Sequence, residues 1–134
     1  MADTIQLTVV TPDRALVDEA VDELQVPGLN GYLGVLPGHA PLFSELTIGE
    51  LSYRQAGRSE SLAISRGFVE VMDNAVRVLA DVAEPAGSID VERATQARTR
   101  AQELISSGGD DTDYPRAQAA VERAESRLKI AKKK

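Results

Sequence analysis

Arg123 and Arg127 stand four residues apart, a spacing that puts both on one face of a helix. Arg93 and Arg100 precede them in a second helical stretch, so four guanidinium groups can converge between two antiparallel helices. A planar guanidinium makes paired bonds to phosphate oxygens, and a cluster of this kind suits a phosphate ligand. The same arginines also fit a solvated charged face with Glu92, Glu122 and Glu125 as partners. Spacing alone favours that plainer reading. Arg98 adds a further base close to Glu84, Asp90 and Glu92, which makes this stretch the place to look for regulation.

No other residues form a chemical set. His39 is the only histidine and the chain has no cysteine, so disulfides, thiol nucleophiles and thiolate metal sites are excluded. A lone histidine beside the Pro37-Gly38 turn reads as structural or surface-lying, not catalytic. No Ser/His/acid set is visible, and the glycines match neither phosphate-loop pattern. The expectation is a protein with no catalytic residue and no metal.

The elements that must hold the arginines change character within Ala83–Arg100. Upstream, Val76, Val78, Ala80 and Val82 alternate as in a strand; downstream, Ala94, Ala97, Ala101 and Leu104 recur at helical spacing. Pro85 and Gly87 separate the two patterns, and Ser88 or Asp90 can cap the new helix. This helix is predicted from about Asp90 to Ile105. Gly108 and Gly109 end it, Asp111 or Asp113 caps the next, and Pro115 fits that helix's first turn. The second helix carries Ala117, Ala120, Val121, Ala124, Leu128 and Ala131 on one face. An interface of alanines buries little area, so the hairpin should be weakly held and movable by a ligand.

The first part of the chain is strand-like. Ile5, Leu7 and Val9 alternate with polar residues; Leu16 and Val17 continue a second strand; Val21 to Val26 gives a third, stopped by Pro27-Gly28. Leu33, Val35, Leu36, Leu42 and Phe43, in the glycine- and proline-rich stretch from Gly31 to Phe43, call for burial. Further strands follow at Ile48 to Arg54, Glu60 to Ser65, Phe68 to Met72 and Ala75 to Val82, with hairpin turns at Ala56-Gly57 and Asp73-Asn74. The expected fold is α+β: an N-terminal antiparallel β-sandwich or barrel over residues 1–87, then a C-terminal antiparallel two-helix hairpin over residues 88–134.

With 43% hydrophobic and 27% charged residues the composition is globular. The net charge of −6 is uneven: residues 1–87 carry 13 acids against 5 bases, residues 88–134 carry 8 acids against 10. The acidic first part argues against nucleic acid. The basic tail Lys132, Lys133 and Lys134 suits an acidic protein surface, or is simply solvated. No apolar run approaches the roughly 20 residues of a spanning helix, and MADTIQLTVV lacks the pattern of a signal peptide. An intracellular, soluble protein is expected.

LTVVTPD, GYLGVLPGHAPL, GFVEVMDNAVRVLAD, IDVERA and DYPRAQAAVERA occur in this order along nearly the whole chain. Together they resemble the epsilon-subunit family of bacterial F-type ATP synthases, the LGVLPGHAPL stretch most specifically. One departure is Arg66, where the family usually shows a second glycine before Gly67-Phe68.

The resemblance implies a flattened sandwich bound to the gamma subunit and the c-subunit ring, in a central stalk that couples ion flow to ATP synthesis in the alpha/beta head. It implies a peripheral place on the cytoplasmic face of the inner membrane, with no catalytic group and no required cofactor. In some members the folded hairpin binds ATP as a regulatory ligand, and the opened hairpin blocks hydrolysis. Those members carry an IDxxRA motif, present here as Ile89, Asp90, Arg93 and Ala94, with further matching ligands at Glu84, Arg100, Arg123 and Arg127. Tyr32 and His39 fall where the family approaches the c ring; with tyrosine at 32, an ionic contact there is not expected. The alternatives are a purely structural stalk subunit without nucleotide sensing, and an independent sandwich adaptor offering its hairpin to an acidic partner.

Overall fold

The computed structural model describes residues 4–132; residues 1–3 of the N-terminal stretch, and Lys133 and Lys134 of the basic tail, lie outside them. Two compact units meet after Pro85, Met1–Pro85 and Ala86–Lys134.

The first unit is one eight-stranded sheet folded over into a sandwich. Its strands are β1 (Ile5–Val10), β2 (Ala15–Val21), β3 (Glu23–Gly28), β4 (Gly31–Val35), β5 (Leu42–Leu46), β6 (Gly49–Gln55), β7 (Arg58–Met72) and β8 (Ala75–Pro85). Alternation drives the fold. Ile5, Leu7 and Val9 are fully buried and pack with Val26, Leu51, Val69 and Val78 in an aliphatic core that holds no fully buried aromatic ring.

β7 and β8 belong to both layers. In β7 the large buried side chains are Leu62 and Ile64 before Arg66-Gly67, with the small Ala63 and Ser65 between and after them also buried, then Val69 and Val71 after it. The inward parity reverses across that pair, and in β8 it reverses between Ala80 and Ala83. The early half of β7 pairs with β6 and its late half with β5. Arg66 sits at φ 61° and Gly67 at φ 137°, so the strand changes layer through two residues in left-handed backbone. A side chain at Gly67 would overlap the carbonyl oxygen of Leu79 and lie 2.8 Å from Ala80 Cα. The departure at Arg66 therefore falls at a position where glycine is the unstrained choice.

Several local expectations change. The sheet is not wholly antiparallel: β1 runs parallel to β8, from Gln6 opposite Ala75 to Val10 opposite Leu79. Pro27 and Gly28 do not stop β3 but complete it, paired with Tyr32 and Gly31 of β4. The β6 pairing has ended by then, at Gln25 opposite Ser52, so proline's missing N–H leaves no gap in that ladder. Leu36 and Phe43 are 58% and 65% exposed rather than buried, and Phe43 stacks on Phe68 with ring centres 5.5 Å apart. Both β-turns form as expected, with positive φ at Ala56, Gly57, Asp73 and Asn74.

The second unit opens with a 3-10 turn, Ala86–Ser88, followed by α1 (Val91–Ser107) and α2 (Tyr114–Ala131). Asp90 caps α1, accepting the Arg93 backbone N–H at 3.0 Å; Asp113 caps α2, accepting that of Arg116 at 3.1 Å. Between them Gly108 closes α1, its N–H donating to the Leu104 carbonyl at 2.9 Å. The Tyr114 hydroxyl then donates to the Gly108 carbonyl at 2.7 Å, tying the start of α2 to the end of α1. A side chain at Gly108 would overlap both the Leu104 carbonyl oxygen and Thr112 Oγ1, so the bend needs glycine for space. Ala94 and Ala101 of α1 and Ala117, Val121 and Ala124 of α2 are buried. Leu104, expected on the packed face, is 54% exposed, and Ile105 takes the inward place.

Candidate functional site

The helical unit sets the arginines out in a regular way. Arg93 precedes buried Ala94, Arg100 precedes Ala101, and Arg123 precedes Ala124. A right-handed helix turns about 100° per residue, so each of these arginines stands about a quarter turn off the interface. In two antiparallel helices that quarter turn falls on the same side of the pair. Arg127, one turn beyond Arg123, continues the same edge and lies level with Arg93 across the hairpin. The four arginines thus line a single flank. Arg93 and Arg100 are exposed; Arg123 and Arg127 are half-buried.

The carboxylates proposed as their partners are elsewhere. By the same rotation Glu92 and Glu103 point away from the interface of α1, and Glu122 and Glu125 stand on the far side of α2. Arg93, Arg100 and Arg123 form no ion pair with another described residue. Two acids lie at the helix starts beside the flank, Asp90 and Asp113, and each carboxylate is engaged in its cap. Arg93, Arg100 and Arg123 thus bring to this flank the charge and the fork geometry that suit an anion.

The remaining residues of the expected set have different parts. Ile89 and Ala94 are 3% exposed each, so their side chains seat the start of α1 rather than offer polar groups. Asp90 is the cap and carries the wrong sign for a phosphate ligand. Glu84 is a half-buried residue of β8, opposite Ala63, and belongs to the sandwich unit. Arg116, not singled out from the sequence, precedes buried Ala117 and stands on the arginine flank as well. The signal was available: Arg-Ala occurs at 93–94, 100–101, 116–117 and 123–124.

Tyr32 and His39 lie at opposite ends of β4. The Tyr32 hydroxyl accepts the Glu50 N–H at 3.0 Å. His39 Nδ1 donates to the Ala40 carbonyl at 2.7 Å, and the neighbouring Gly38 N–H donates to Asn74 Oδ1 at 2.6 Å. The sandwich has a cleft of about 470 Å3 beside Leu24, Val35 and Tyr53. Its one cation, Arg54, is held by Glu23 at 2.9 Å, which leaves no anion site there. Burial, followed by the charges of Glu19 and Glu60, raises the Tyr53 phenol above its ordinary value.

The described residues define a two-part α+β chain, a β-sandwich followed by a helical hairpin that carries a row of arginines. Family models agree with that division. Residues 4–86 match the beta-sandwich domain of the ATP synthase Delta/Epsilon chain, and residues 88–132 match its long alpha-helix domain. The chain belongs to the Delta/Epsilon chain family of ATP synthases, whose epsilon chains are non-catalytic subunits.

It is 50% identical to the ATP synthase epsilon chain of Solibacter usitatus over 134 residues, the full length of both. It is 45% identical to that of Syntrophobacter fumaroxidans over 133 residues, 99% of each chain. Among solved structures, a chain of the Euglena gracilis mitochondrial ATP synthase, in an assembly of OSCP, F1 and c-ring, superposes with a TM-score of 0.84 at 28% identity. That match covers 98% of this chain and 82% of the other. A chain of the Tetrahymena thermophila central stalk and c-ring shares the fold, with a TM-score of 0.55 at 17% identity over 96% and 94% of the two chains. No helix among the described residues is long and apolar enough to cross a membrane.

Proposed function

We propose that this chain is a central-stalk subunit of a rotary ATP synthase, and that its helical hairpin is an ATP-responsive brake on hydrolysis. The sandwich joins the gamma subunit and the c-subunit ring, below the alpha/beta head, on the cytoplasmic face of the bacterial inner membrane. There the stalk couples ion flow to ATP synthesis. Epsilon chains of similar length and sequence, and a likeness to chains from F1/c-ring assemblies, support the stalk role.

The observation that carries the nucleotide reading is the gathering of Arg93, Arg100, Arg123 and Arg127 on one flank of the hairpin, where Arg93, Arg100 and Arg123 form no ion pair with another described residue. Without a ligand these like charges repel across an interface built mainly of alanine. A polyphosphate reverses the sign of that interaction and bridges α1 to α2. A ligand that binds only the closed hairpin stabilises it by RT ln(1 + [L]/Kd), about 2.7 kcal/mol at a hundredfold excess over Kd. Alanine contacts are weak enough for a term of that size to decide between closed and open.

Calorimetric titration of the isolated chain with ATP tests this. Saturable binding is expected at millimolar or lower ATP. Arg93→Ala and Arg127→Ala should each weaken it by about tenfold or more, since a hydrogen bond to a charged group contributes about 1.5–3 kcal/mol. No saturation in the wild type, or wild-type affinity in both variants, would leave a structural stalk subunit with a solvated arginine face.

A further inference from the structure

The arginine flank is longer than a nucleotide's phosphate chain. From Arg127 to Arg116 it runs eleven residues along α2, roughly 16 Å at the helical rise. Arg93 and Arg100 accompany it on α1. Three phosphates joined through shared oxygens fall short of that span, so a triphosphate held at the Arg93–Arg127 end leaves Arg116 unused.

Arg116 is exposed and forms no ion pair with another described residue. Its backbone N–H is committed to the Asp113 cap, but its guanidinium is not. Within the two helices, the residues sharing its flank are arginine, alanine, glutamine, leucine, serine and isoleucine, with no acid. The sandwich unit is strongly acidic, which disfavours a long nucleic acid lying across the whole chain.

We propose that this flank is a site for linear polyphosphate chains longer than three phosphates, with Arg116 contacting the phosphates beyond the third. This rests on the flank already assigned to the nucleotide and extends it toward the turn. Nothing in the row reads a base or a ribose, so affinity along it should follow chain length and charge.

The full chain is titrated calorimetrically with ATP, tripolyphosphate and a medium-chain inorganic polyphosphate. Wild type and Arg116→Ala are compared, each at several salt concentrations. The substitution keeps the capped N–H, so α2 should form equally in both, as circular dichroism will report. The medium chain should bind at least tenfold tighter than tripolyphosphate. Arg116→Ala should lose about that tenfold for the medium chain alone, lower its salt slope by about one, and leave ATP within twofold.

The proposal is overturned if the medium chain binds no tighter than tripolyphosphate, or if Arg116→Ala leaves its affinity unchanged. It is also overturned if single-stranded RNA of equal charge binds as tightly and with the same Arg116 dependence, which would mark a generic polyanion surface. Medium-chain binding that depends on Arg116, in a chain that does not bind ATP, would sink the nucleotide reading and leave this one standing. Saturable ATP binding without the length effect would do the reverse.

Discussion

Replacing Gly67 by alanine should unfold the sandwich more readily than any other single methyl group added to it. At φ 137° an L-residue is strained, which costs about 1–3 kcal/mol. The new methyl group also meets the Leu79 carbonyl oxygen and, at 2.8 Å, Ala80 Cα. Both are backbone atoms of β8, so no side chain can swing aside. The β7–β8 ladder must open at the Gly67–Ala80 pair. Losing or stretching the two flanking bonds adds about 1 kcal/mol each. The total, about 3–5 kcal/mol, is a large share of a domain's 5–15 kcal/mol. Urea denaturation followed by tyrosine fluorescence measures it. With a slope of about 1–3 kcal/mol per molar, the midpoint should fall by roughly 2 M. Gly34→Ala is the control, because its added methyl meets nothing within 4 Å and it should stay within about 0.5 kcal/mol of wild type. A Gly67→Ala loss below about 1 kcal/mol would refute the reasoning and mean that β7 crosses between layers without this close approach.

Other outcomes follow from the same structure. A fragment ending at Gly87 should melt in one cooperative thermal transition, because the aliphatic core of the sandwich draws no residue from beyond Ala83; a broad, non-cooperative melt would show that the hairpin completes the core. In the assembled synthase, deleting the residues after Gly87 should leave the subunit bound and raise ATP hydrolysis, and failure of the truncated chain to co-purify with gamma would make the hairpin an assembly element. The raised Tyr53 phenol means that the folded state holds its proton more tightly than the unfolded state. Its stabilising effect is therefore complete below the ordinary value of 10.0 and is lost as pH climbs through the higher folded value. Stability curves of wild type and Tyr53→Phe should run parallel below pH 10 and diverge above it, with the wild type falling faster; curves that stay parallel would place the phenol in ordinary solvent.

Much of this was readable from local pattern. Ile5, Leu7 and Val9 alternate because one face of β1 is wet, and alternation is visible in any short window. Ala56-Gly57 and Asp73-Asn74 announced their turns because few residue pairs tolerate positive φ twice in succession. Both ends of α1 and the start of α2 were legible to within two residues, since capping chemistry is local. What escaped was non-local. The reversal of parity at Arg66-Gly67 depends on which strands lie on either side of β7, and no window of the sequence contains them. Phe43 and Leu36 are apolar and were assigned to the core, yet both are exposed, and Phe43 stacks on Phe68, a residue distant in the chain. The arginines show both limits: their spacing pointed to a cluster, but only the packed alanines beside them established which flank each occupies and that the glutamates stand on other faces.

The parallel pairing of β1 with β8 bears on how the protein emerges from the ribosome. Gln6 meets Ala75, so one edge of β1 has no neighbour until sixty-nine more residues have been added. At a synthesis rate of roughly 5–20 residues per second, that wait lasts about 3–14 s. During it β1 has only β2 as a hydrogen-bonded neighbour, a two-stranded piece that is marginal alone. The nascent sandwich thus carries an apolar strand with an open edge until β8 is made, a ready template for pairing with another chain. Slowing elongation within the codons between β1 and β8 should lengthen that exposure and increase aggregation of the nascent chain, whereas slowing it within the helical-hairpin codons should not.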